Sequence, residues 1–433
     1  MGAHSGLRRS LEFAERLAAV AVLLAACSPT SSAAPVTPVP GETWTMYRGD
    51  LSRDGHPFTA TLDSESAARL AVAWRAHLSG AVDGTPVVAR GLVIVGSAGG
   101  EVRALNASNG ETVWSRRGLG DVASSPTVSG ERVFISTLSG HVHAMDVVSG
   151  RERWDWTGPP EAAIWASPVA FGDEVIVGVA SPYGDQPLVP GRIYGLDAAT
   201  GHQRWTRCVQ ITCEPGGGVW STPSLDGDGN AFVGVGNPVD GVLAFDPDTG
   251  ERKWQASLYT DAGRDLDVGA SPVTFDMLGE HVLAQASNQG LFAVLDSGDG
   301  GLVWQRSLVE GSAVHGLLAT PGFDQKNLYV ASASPPTGLF ALKPVDGSEV
   351  WRHETLLPVY SAPAVGNGVV VFGTGAVLGD VKAGSVVALS TTDGQVLFDF
   401  DTHSAVRSGP AIAGNLVVVG DAAGDLFAFR PKS

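Results

Sequence analysis

One sequence motif recurs along the whole chain. Its first copy is Gly99-Gly100-Glu101-Val102-Arg103-Ala104-Leu105, followed by Gly110 and Trp114. Each copy joins a glycine turn and an apolar segment to a second glycine and a closing aromatic residue. The closing residues of the first seven copies are Trp114, Trp154, Trp205, Trp254, Trp304, Trp351 and, in a weakened form, Phe398. Residues 424–429 open an eighth copy that has no closing Trp, and Trp74 lacks the preceding half.

The spacing of these copies indicates what kind of unit repeats. Trp114 and Trp154 are 40 residues apart, and Trp154 and Trp205 are 51 apart. A period of this length accommodates four short strands. The last copy lacks an outer strand, which the segment around Trp74 can supply, and a ring closed in this way leaves no exposed sheet edge. We therefore predict an all-β fold over residues 44–433, an eight-bladed β-propeller of four-stranded blades closed by the N- and C-terminal strands.

The closing tryptophan of each copy is predicted to be structural. Residues 101–105 alternate between the two faces, as a half-buried strand does. Gly110 follows in a tight hairpin, where glycine accepts a positive φ without a Cβ clash. Trp114 comes next and can pack between neighbouring blades. Because a tryptophan closes nearly every unit, it belongs to the scaffold and does not mark an active site.

A second motif, which ends in proline, also occurs once in each repeat, at a different position from the first motif. Proline is tolerated at the first residue of a strand, so we expect each copy to begin an innermost strand at the mouth of the central channel. The residue three positions before the proline varies, as functional positions on a repeated scaffold do. Its eight occupants are Asp83, Ala123, Trp165, Trp220, Gly269, Leu318, Tyr360 and Arg407.

The N-terminal segment predicts export. Arg8 and Arg9 precede an apolar stretch, residues 17–26, that is too short to span a bilayer permanently. Its Leu-Ala-Ala-Cys ending resembles a bacterial lipobox, so residues 1–27 are interpreted as a lipoprotein signal peptide with Cys27 as the lipidated residue. An ordinary cleaved signal with an incidental cysteine is the alternative. We expect an exported protein, lipid-anchored to the periplasmic or extracellular face of the bacterial envelope, whose only contact with the membrane is this anchor.

Composition and cysteine usage agree with that location. Residues 28–43 are rich in Ser, Pro, Thr and Ala and are predicted to be a flexible tether. Cys208 and Cys213 lie in one loop and are expected to form a disulfide in an oxidising compartment, with two free thiols as the alternative. No Cys-x-x-Cys-His motif for c-type haem occurs, so no haem is expected. The formal net charge of −17 argues against nucleic-acid binding.

The repeats resemble the pyrroloquinoline-quinone (PQQ) type of propeller repeat, whose signature is Gly-x-x-x-Ala-Leu-Asp-x-x-Thr-Gly-x-x-x-Trp. The resemblance covers nearly all of residues 70–430 and implies the propeller fold. That family includes quinoprotein alcohol dehydrogenases, among them polyvinyl-alcohol dehydrogenases. It also includes non-enzymatic scaffold lipoproteins of outer-membrane barrel assembly. The resemblance therefore leaves both an enzyme and a binding scaffold open.

Three segments resemble the dehydrogenases more closely. Residues 216–223 are similar to the segment whose tryptophan forms the floor beneath the quinone, which implies that role for Trp220. Residues 234–238 resemble the segment whose asparagine ligates the calcium bound to PQQ, which implies Asn237. Residues 265–272 resemble the segment that carries the catalytic aspartate. By that alignment Asp267 is the better candidate base and Asp265 the second.

Three further residues are candidates, and the sequence departs from the family at two positions. Trp165 on the preceding blade is a second aromatic platform, and Asp185 is a candidate calcium ligand in a loop where family enzymes carry Glu. Arg407 is a cofactor-binding candidate, although pairing with Asp83 across the ring closure is the simpler interpretation. Residues 287–290 lack the Lys or Arg that contacts the quinone in the family.

Structural interpretations of the same residues stay open. Trp220 can simply wedge a blade junction, Asn237 precedes a proline as turn residues often do, and Asp265 and Asp267 lie in a polar loop. His141 and His143 share one strand face, but a metal site there needs further ligands. A plain surface strand is therefore the simpler interpretation of that histidine pair.

Three functional hypotheses follow from the sequence. The first is a PQQ-dependent alcohol dehydrogenase that uses calcium, acts on a small alcohol or a polymer and passes electrons to a separate acceptor. The second is a non-catalytic propeller that binds an envelope protein or polymer. The third is a degenerate quinoprotein that binds another flat ligand. The sequence leaves undecided whether the chain is an enzyme.

Overall fold

The computed structural model describes residues 41–261, 263–378 and 381–432. Over these residues, eight antiparallel sheets of four strands follow one another along the chain. This arrangement confirms the predicted eight-bladed β-propeller. The one helix in the described part of the chain, α1 (Ser64–Ala67), is capped by Asp63, and no helix there is long and apolar enough to cross a membrane.

Each blade places its strands from the channel outward in chain order, except that the outermost strand of blade 8 comes from the N-terminal side. The strands are β1 (Leu70–His77); in blade 1, β2 (Val87–Ala89), β3 (Leu92–Ser97), β4 (Glu101–Asn106) and β5 (Thr112–Arg117); in blade 2, β6 (Thr127–Ser129), β7 (Arg132–Ser136), β8 (His141–Asp146) and β9 (Glu152–Thr157); in blade 3, β10 (Val169–Phe171), β11 (Glu174–Val179), β12 (Arg192–Asp197) and β13 (Gln203–Cys208); in blade 4, β14 (Ser224–Leu225), β15 (Ala231–Val235), β16 (Gly241–Phe245) and β17 (Arg252–Ser257). They continue in blade 5 as β18 (Val273–Met277), β19 (Glu280–Ala286), β20 (Leu291–Asp296) and β21 (Leu302–Ser307); in blade 6 as β22 (Gly322–Phe323), β23 (Leu328–Ser332), β24 (Gly338–Leu342) and β25 (Glu349–Glu354); in blade 7 as β26 (Ala364–Val365), β27 (Val369–Gly373), β28 (Ser385–Ser390) and β29 (Val396–Asp401); and in blade 8 as β30 (Ala411–Ala413), β31 (Leu416–Gly420) and β32 (Asp425–Pro431), with β1 outside them.

The ring closes as the sequence predicts, through a strand from each end of the chain. Strand β1 pairs antiparallel with β32, with Trp74 opposite Ala428 and His77 opposite Asp425. Arg75 adds an ion pair to the Asp425 carboxylate. The outer strand of blade 8 is therefore supplied from the N-terminal side, and no sheet edge is left open at the closure.

The repeated tryptophans join neighbouring blades. The Trp74 ring covers Gly110 of blade 1, where an added Cβ would lie 2.8 Å from ring atoms, and Gly110 has a φ of +74°. The indole N–H of Trp74 donates to the Ala107 carbonyl at 3.1 Å. The same stacking recurs for Trp114 on Gly150 and, further along, for Trp154, Trp205, Trp254, Trp304 and Trp351 on Gly201, Gly250, Gly300, Gly347 and Gly394. The structural role predicted for these tryptophans is confirmed.

A belt of hydroxyl groups links the inner strands. The backbone N–H of Thr85 donates to the Ser125 hydroxyl at 2.8 Å, and Ser125 N–H donates to Ser167 at 2.9 Å. The pattern continues through Thr222 and Ser271 to Thr320. These are the residues just before the repeated prolines, so blades 1 to 6 are bonded in succession at the same height. In blades 7 and 8 this position is occupied by Ala362 and Gly409, which carry no hydroxyl.

The end of the channel away from the mouth is sealed by residues 44–62, here called the plug. Its backbone follows the ring and forms hydrogen bonds with the inner-strand region of seven blades in turn: Trp44 with Val88, Thr45 with Val128, Leu51 with Leu225, Ser52 with Thr274, Asp54 with Phe323, Gly55 with Val365, and Leu62 with Gly414. The bonded residues follow the repeated prolines, whereas the mouth residues precede them. The plug and the mouth therefore lie at opposite ends of the channel.

Two buried arginines hold the plug. Arg53 is fully buried and donates to the carbonyls of Pro223, Tyr47 and Asp50 at 2.7–2.9 Å. Arg48 is 1% exposed and donates to the carbonyl of Pro321 at 3.0 Å. Burial lowers the pKa of Arg53 to about 10, so it stays charged near neutral pH. Sequence analysis did not anticipate the plug.

The segment before the plug also contacts the propeller. Glu42 is buried and forms a bidentate ion pair with Arg430, at 2.6 and 3.0 Å. These contacts begin within the segment that the sequence assigns to the tether. The predicted signal peptide and Cys27 lie outside the described residues.

Candidate active site at the channel mouth

A cavity of about 260 Å³ opens at the mouth end of the channel, and we call it the mouth chamber. Its wall is largely apolar and contains four aromatic side chains. A second cavity of about 190 Å³ continues down the channel from it, past Asp83 and Arg407 to Tyr47 of the plug. The mouth chamber is lined by Trp165, Ala180, Ser181, Pro182, Tyr183, Trp220, Asp267, Ala313, Val314, Leu318, Tyr360 and Val377.

Trp220 lies across the boundary between blades 4 and 5. An added Cβ at Gly269 would lie 1.7 Å from its ring, so the indole occupies the space that any other residue would fill at that position. Its N–H donates to the Asp267 carboxylate at 3.2 Å. The absence of a side chain at Gly269 and this hydrogen bond together determine where the ring lies.

The other aromatic walls are fixed through backbone carbonyls. The Trp165 indole N–H donates to Ser181 at 2.9 Å, and the Tyr360 hydroxyl donates to Val314 at 2.8 Å. Each ring therefore has its polar atom satisfied and leaves its apolar surface toward the chamber. Such a chamber suits a flat, aromatic ligand.

Among the residues that the structure describes, Asp267 is the one carboxylate in the chamber wall, and both of its oxygens accept hydrogen bonds. Oδ1 accepts from the Asn237 backbone N–H at 2.9 Å and faces its side-chain amide at 3.4 Å, while Oδ2 accepts from Trp220. Burial raises the pKa of Asp267, and repulsion from Asp265 and Asp185 raises it further against these hydrogen bonds. A carboxylate with a raised pKa is suited to take a proton near neutral pH.

Further carboxylates surround Asn237 behind Asp267. The Asn237 side chain interacts with the carboxylates of Asp261 and Asp265. Burial raises the pKa of Asp265, and Asp185 and Asp261 add to that rise. We call Asp185, Asp240, Asp261, Asp265 and Asp267 the acidic cluster.

Asp240 is the most buried member of the acidic cluster, at 2% exposure. Burial, and then repulsion by Asp267, Asp261 and Asp265, raises its pKa to about 6. Its Oδ1 is buried without a hydrogen-bond partner, while Oδ2 accepts from the Asp261 N–H at 3.3 Å. An unpaired buried oxygen among mutually repelling carboxylates is a costly arrangement. Added positive charge would relieve that cost.

The donor chemistry of this cluster fits a hard cation. Carboxylate and amide oxygens are the ligands that Ca²⁺ prefers, and the cluster with Asn237 offers both. Gly236 contributes by its lack of a side chain, because an added Cβ there would lie 2.5 Å from Asp267 Oδ1. The donor set and the unpaired Asp240 oxygen are thus compatible with calcium, and the aromatic chamber is compatible with a planar quinone.

The structure brings most of the sequence-predicted residues together. Trp220, Asn237, Asp265 and Asp267 form one bonded group, and Asp185 is near enough to raise the pKa of both Asp265 and Asp267. Trp165 lies in the same chamber wall. The exception is the arginine considered next.

Arg407 lines the lower cavity and not the mouth chamber. Its Nε donates to Asp83 at 2.8 Å, as the pairing across the ring closure predicts. It therefore neutralises a carboxylate in the channel wall.

Sequence reasoning missed Asp240, Asp261, Tyr259 and Tyr183. Tyr259 donates its hydroxyl to the backbone carbonyl of Asp267 at 3.0 Å and so supports the catalytic candidate from behind. Asp240 follows the quoted 234–238 segment, and Asp261 precedes the 265–272 segment. A search for extra carboxylates beside those two segments would have found both.

A disulfide joins Cys208 and Cys213, as expected. Its loop leads to Gly216 and Gly217, and Gly217 N–H donates to the Asn237 carbonyl. The disulfide therefore lies beside the segment that carries Asn237.

Two curated proteins match part of the chain. The polyvinylalcohol dehydrogenase of Sphingopyxis sp. (strain 113P3) is 27% identical over 216 residues, covering 37% of this chain and 33% of that protein. The polyvinylalcohol dehydrogenase of Pseudomonas sp. is 24% identical over 209 residues, with the same coverage of 37% and 33%. The match thus spans about a third of the length of these relatives.

Solved structures share the fold over most of the chain. The quinohemoprotein alcohol dehydrogenase of Comamonas testosteroni superposes with a TM-score of 0.78 at 18% identity, covering 93% of this chain and 84% of that one. A europium-containing methanol dehydrogenase gives 0.78 at 17% identity, covering 90% and 98%. BamB of Moraxella catarrhalis gives 0.64 at 19% identity, covering 83% and 97%. At these identities the similarity shows the fold.

A family profile matches three overlapping stretches, residues 66–212, 192–312 and 287–433, which together cover the propeller repeats. The profile is one of the PQQ-repeat type, and its description is outer membrane protein assembly factor BamB. The chain therefore belongs to this family of PQQ-type propeller repeats, whose model is described as outer membrane protein assembly factor BamB.

Proposed function

We propose that this protein is a PQQ-dependent alcohol dehydrogenase that binds its cofactor in the mouth chamber with a calcium ion. One observation carries the proposal. Trp220, Asn237 and Asp267 are bonded to one another at the wall of an aromatic chamber, although they come from two different blades. Partial similarity to two polyvinylalcohol dehydrogenases supports the same reaction class.

Each binding residue has a distinct part. Trp220 offers its ring face to the quinone, and Trp165 offers a second aromatic surface. The side-chain oxygen of Asn237 and the carboxylates of Asp265 and Asp185 would hold the calcium ion. When bound, the quinone would accept the carbinol hydrogen with its two electrons, and the calcium ion would polarise the quinone carbonyl.

Asp267 takes the proton from the alcohol hydroxyl. Its raised pKa brings its basicity closer to neutral pH than that of an ordinary aspartate. The hydrogen bonds from Trp220 and Asn237 orient the carboxylate. The apolar walls reduce access of water to this proton transfer. A small alcohol or an alcohol polymer is the substrate class, and a separate protein or small molecule accepts the electrons.

The binding experiment uses the purified full chain. PQQ titrated by calorimetry in the presence of CaCl₂ should give saturable heat and quench tryptophan fluorescence, and Trp220→Ala should abolish both. The exposed Asp228→Asn variant is the control and should bind like the unmodified protein. No heat and no quenching at high-micromolar PQQ would refute the dehydrogenase.

A second function rests on a different observation. Tyr183 and Ile211 are 74% and 89% exposed on the loops around the mouth. Contiguous exposed apolar patches mark protein-binding surfaces, and these two side chains would contribute to such a patch at the rim. A non-catalytic scaffold that holds an envelope protein or polymer at this rim is therefore the alternative. A photocrosslinker placed at position 211 in intact cells should then capture an envelope protein. That result, together with absence of PQQ binding, would favour the scaffold.

We also propose that the protein is exported and anchored in the bacterial envelope by lipid on Cys27. The variant Cys27→Ala should appear in the soluble extracytoplasmic fraction. Retention of that variant in the membrane fraction after a high-salt wash would contradict the anchor. The experiment is independent of PQQ binding.

A further inference from the structure

Two histidines and an aspartate meet on the outer strands of blade 2. His141 and His143 lie on one face of β8, and their rings are stacked at a centroid distance of 5.7 Å. Asp155 of β9 lies directly opposite His143 in the register. Its Oδ1 is 3.1 Å from His141 Nδ1 and 3.4 Å from His143 Nδ1.

His143 has no hydrogen-bond partner for either ring nitrogen. It is 6% exposed, and both Nδ1 and Nε2 are buried. A buried imidazole without partners is costly, because at least one ring N–H and one lone pair have lost their water. Its Nδ1 faces the carboxylates of Asp155 and Glu152, each at 3.4 Å. A ligand that accepts the Nδ1 lone pair would satisfy it.

The separations match the coordination shell of a transition metal. Bonds of 2.0–2.1 Å at tetrahedral angles place neighbouring ligand atoms about 3.3 Å apart. One ligand atom from each of His141, His143 and Asp155 can be chosen so that all three lie within 4.8 Å of one another. The imidazole–carboxylate separations of 3.1 and 3.4 Å need almost no adjustment.

We propose that His141, His143 and Asp155 bind one divalent transition-metal ion of the zinc class, with Glu152 in reach as a fourth ligand. Two imidazoles with a carboxylate favour zinc, nickel or copper over calcium and magnesium. His141 and Asp155 are about one-third exposed, so the ion can enter from solvent. The site is formed by the outer strands of one blade and is separate from the mouth chamber.

The metal would tie β8 to β9. Because a preformed site of this kind is absent from the unfolded chain, binding should stabilise the folded blade. An ion-pair network without metal is the competing explanation of the same contacts. The two differ in what zinc does to the protein.

The test is a calorimetric titration of chelator-treated full-length protein with ZnCl₂ near neutral pH. We expect about one zinc ion per chain, a rise in thermal midpoint with zinc, and visible d–d absorption when Co²⁺ is used instead. His141→Gln and Asp155→Asn should each weaken zinc binding by at least about tenfold. Both positions are partly exposed, so neither variant depends on refilling the buried His143 position.

Two controls separate this site from others. His403, which is 84% exposed and lies 2.8 Å from Asp401, represents an isolated histidine–aspartate pair. His403→Gln should leave zinc binding unchanged, as should Asp401→Asn in the same pair. Absence of saturable zinc binding in the unmodified protein, or equal binding by His141→Gln and Asp155→Asn, would overturn the proposal.

Discussion

The indole N–H of Trp220 donates to the Asp267 carboxylate across 3.2 Å, and this bond joins blade 4 to blade 5 at the channel mouth. The same indole covers Gly269, two residues beyond Asp267. The aromatic residue proposed to hold the cofactor therefore also fixes the position of the proposed base, and its hydrogen bond opposes the rise that burial causes in the pKa of Asp267. Substitution of Trp220 can separate these two effects.

Trp220→Phe should keep an aromatic surface but remove the N–H donor. Without that donor the pKa of Asp267 should rise, so the acidic limb of the kcat/KM profile should move to higher pH. Trp165→Phe is the matched control, because its indole donates to the Ser181 carbonyl and not to Asp267. Profiles with the same acidic limb in both variants would contradict the assignment of Asp267 as the base.

Asp267→Asn should bind PQQ and calcium yet lose turnover by about 10²–10⁴-fold, since the shape is kept while the base is lost. The measurement is calorimetry for binding beside steady-state oxidation of an alcohol with an artificial electron acceptor. A variant that retains most of its kcat would exclude Asp267 as the base.

The acidic cluster should make calcium affinity depend on pH. The pKa of Asp240 is raised from 3.8 to about 6, so between these values the folded protein holds a proton that the unfolded chain has lost. In the absence of calcium, stability should therefore rise as pH falls from about 7 to 4. Calcium competes with these protons, so its affinity should fall over the same range.

Thermal midpoints measured with and without CaCl₂ across that pH range check this expectation. Asp240→Asn should flatten the calcium-free profile, because it removes one of the groups that take up protons on folding. A calcium affinity that is equal at pH 5 and pH 7 would argue against a cation site in the acidic cluster.

Gly110→Ala should test the contact between blades. Alanine there meets both a positive φ of +74° and the Trp74 ring at 2.8 Å. Gly118→Ala is the matched control, because Gly118 has a φ of +78° and open space around its Cβ position. We expect the control to cost about 1–2 kcal/mol for the φ alone. Gly110→Ala should lower the free energy of unfolding by about 1–3 kcal/mol more than Gly118→Ala. Equal losses of unfolding free energy for the two variants in chemical denaturation would show that the Trp74 ring moves aside without cost.

Arg53→Ala should loosen the plug. It leaves three backbone carbonyls without their donor in a fully buried place, which should cost about 3 kcal/mol or more. Arg90→Ala is the control, since Arg90 also has a positive φ and donates to one carbonyl but is exposed. Its loss should stay near 0.5 kcal/mol, and similar unfolding midpoints for both variants would contradict the role of Arg53.

The fold could be predicted because its signals are local. Each blade repeats the same turn, alternating strand and closing tryptophan, and each contacts only its neighbours. The roles of Gly110 and Trp114 in one copy can therefore be inferred from those of the equivalent residues in the other copies. The need to complete the final sheet then assigned the Trp74 strand to blade 8.

The candidate site was predictable only in part. Trp220, Asn237 and Asp267 stand in recognisable segments, and the disulfide partners lie in one loop. Asp240 and Asp261 carry no such signal, because their importance comes from the electrostatic repulsion that arises once the loops of blade 4 meet the start of blade 5.

By itself the sequence determined the number of blades and the ring closure, and it favoured the pairing of Cys208 with Cys213 over two free thiols. Only the tertiary structure decided that Arg48 and Arg53 seal the channel, and that Asp155 joins His141 and His143. Both arrangements link residues whose separation along the chain has no fixed period. The plug arginines find their carbonyls only after the ring has brought distant blades together, and Asp155 faces His143 only through the register of two strands.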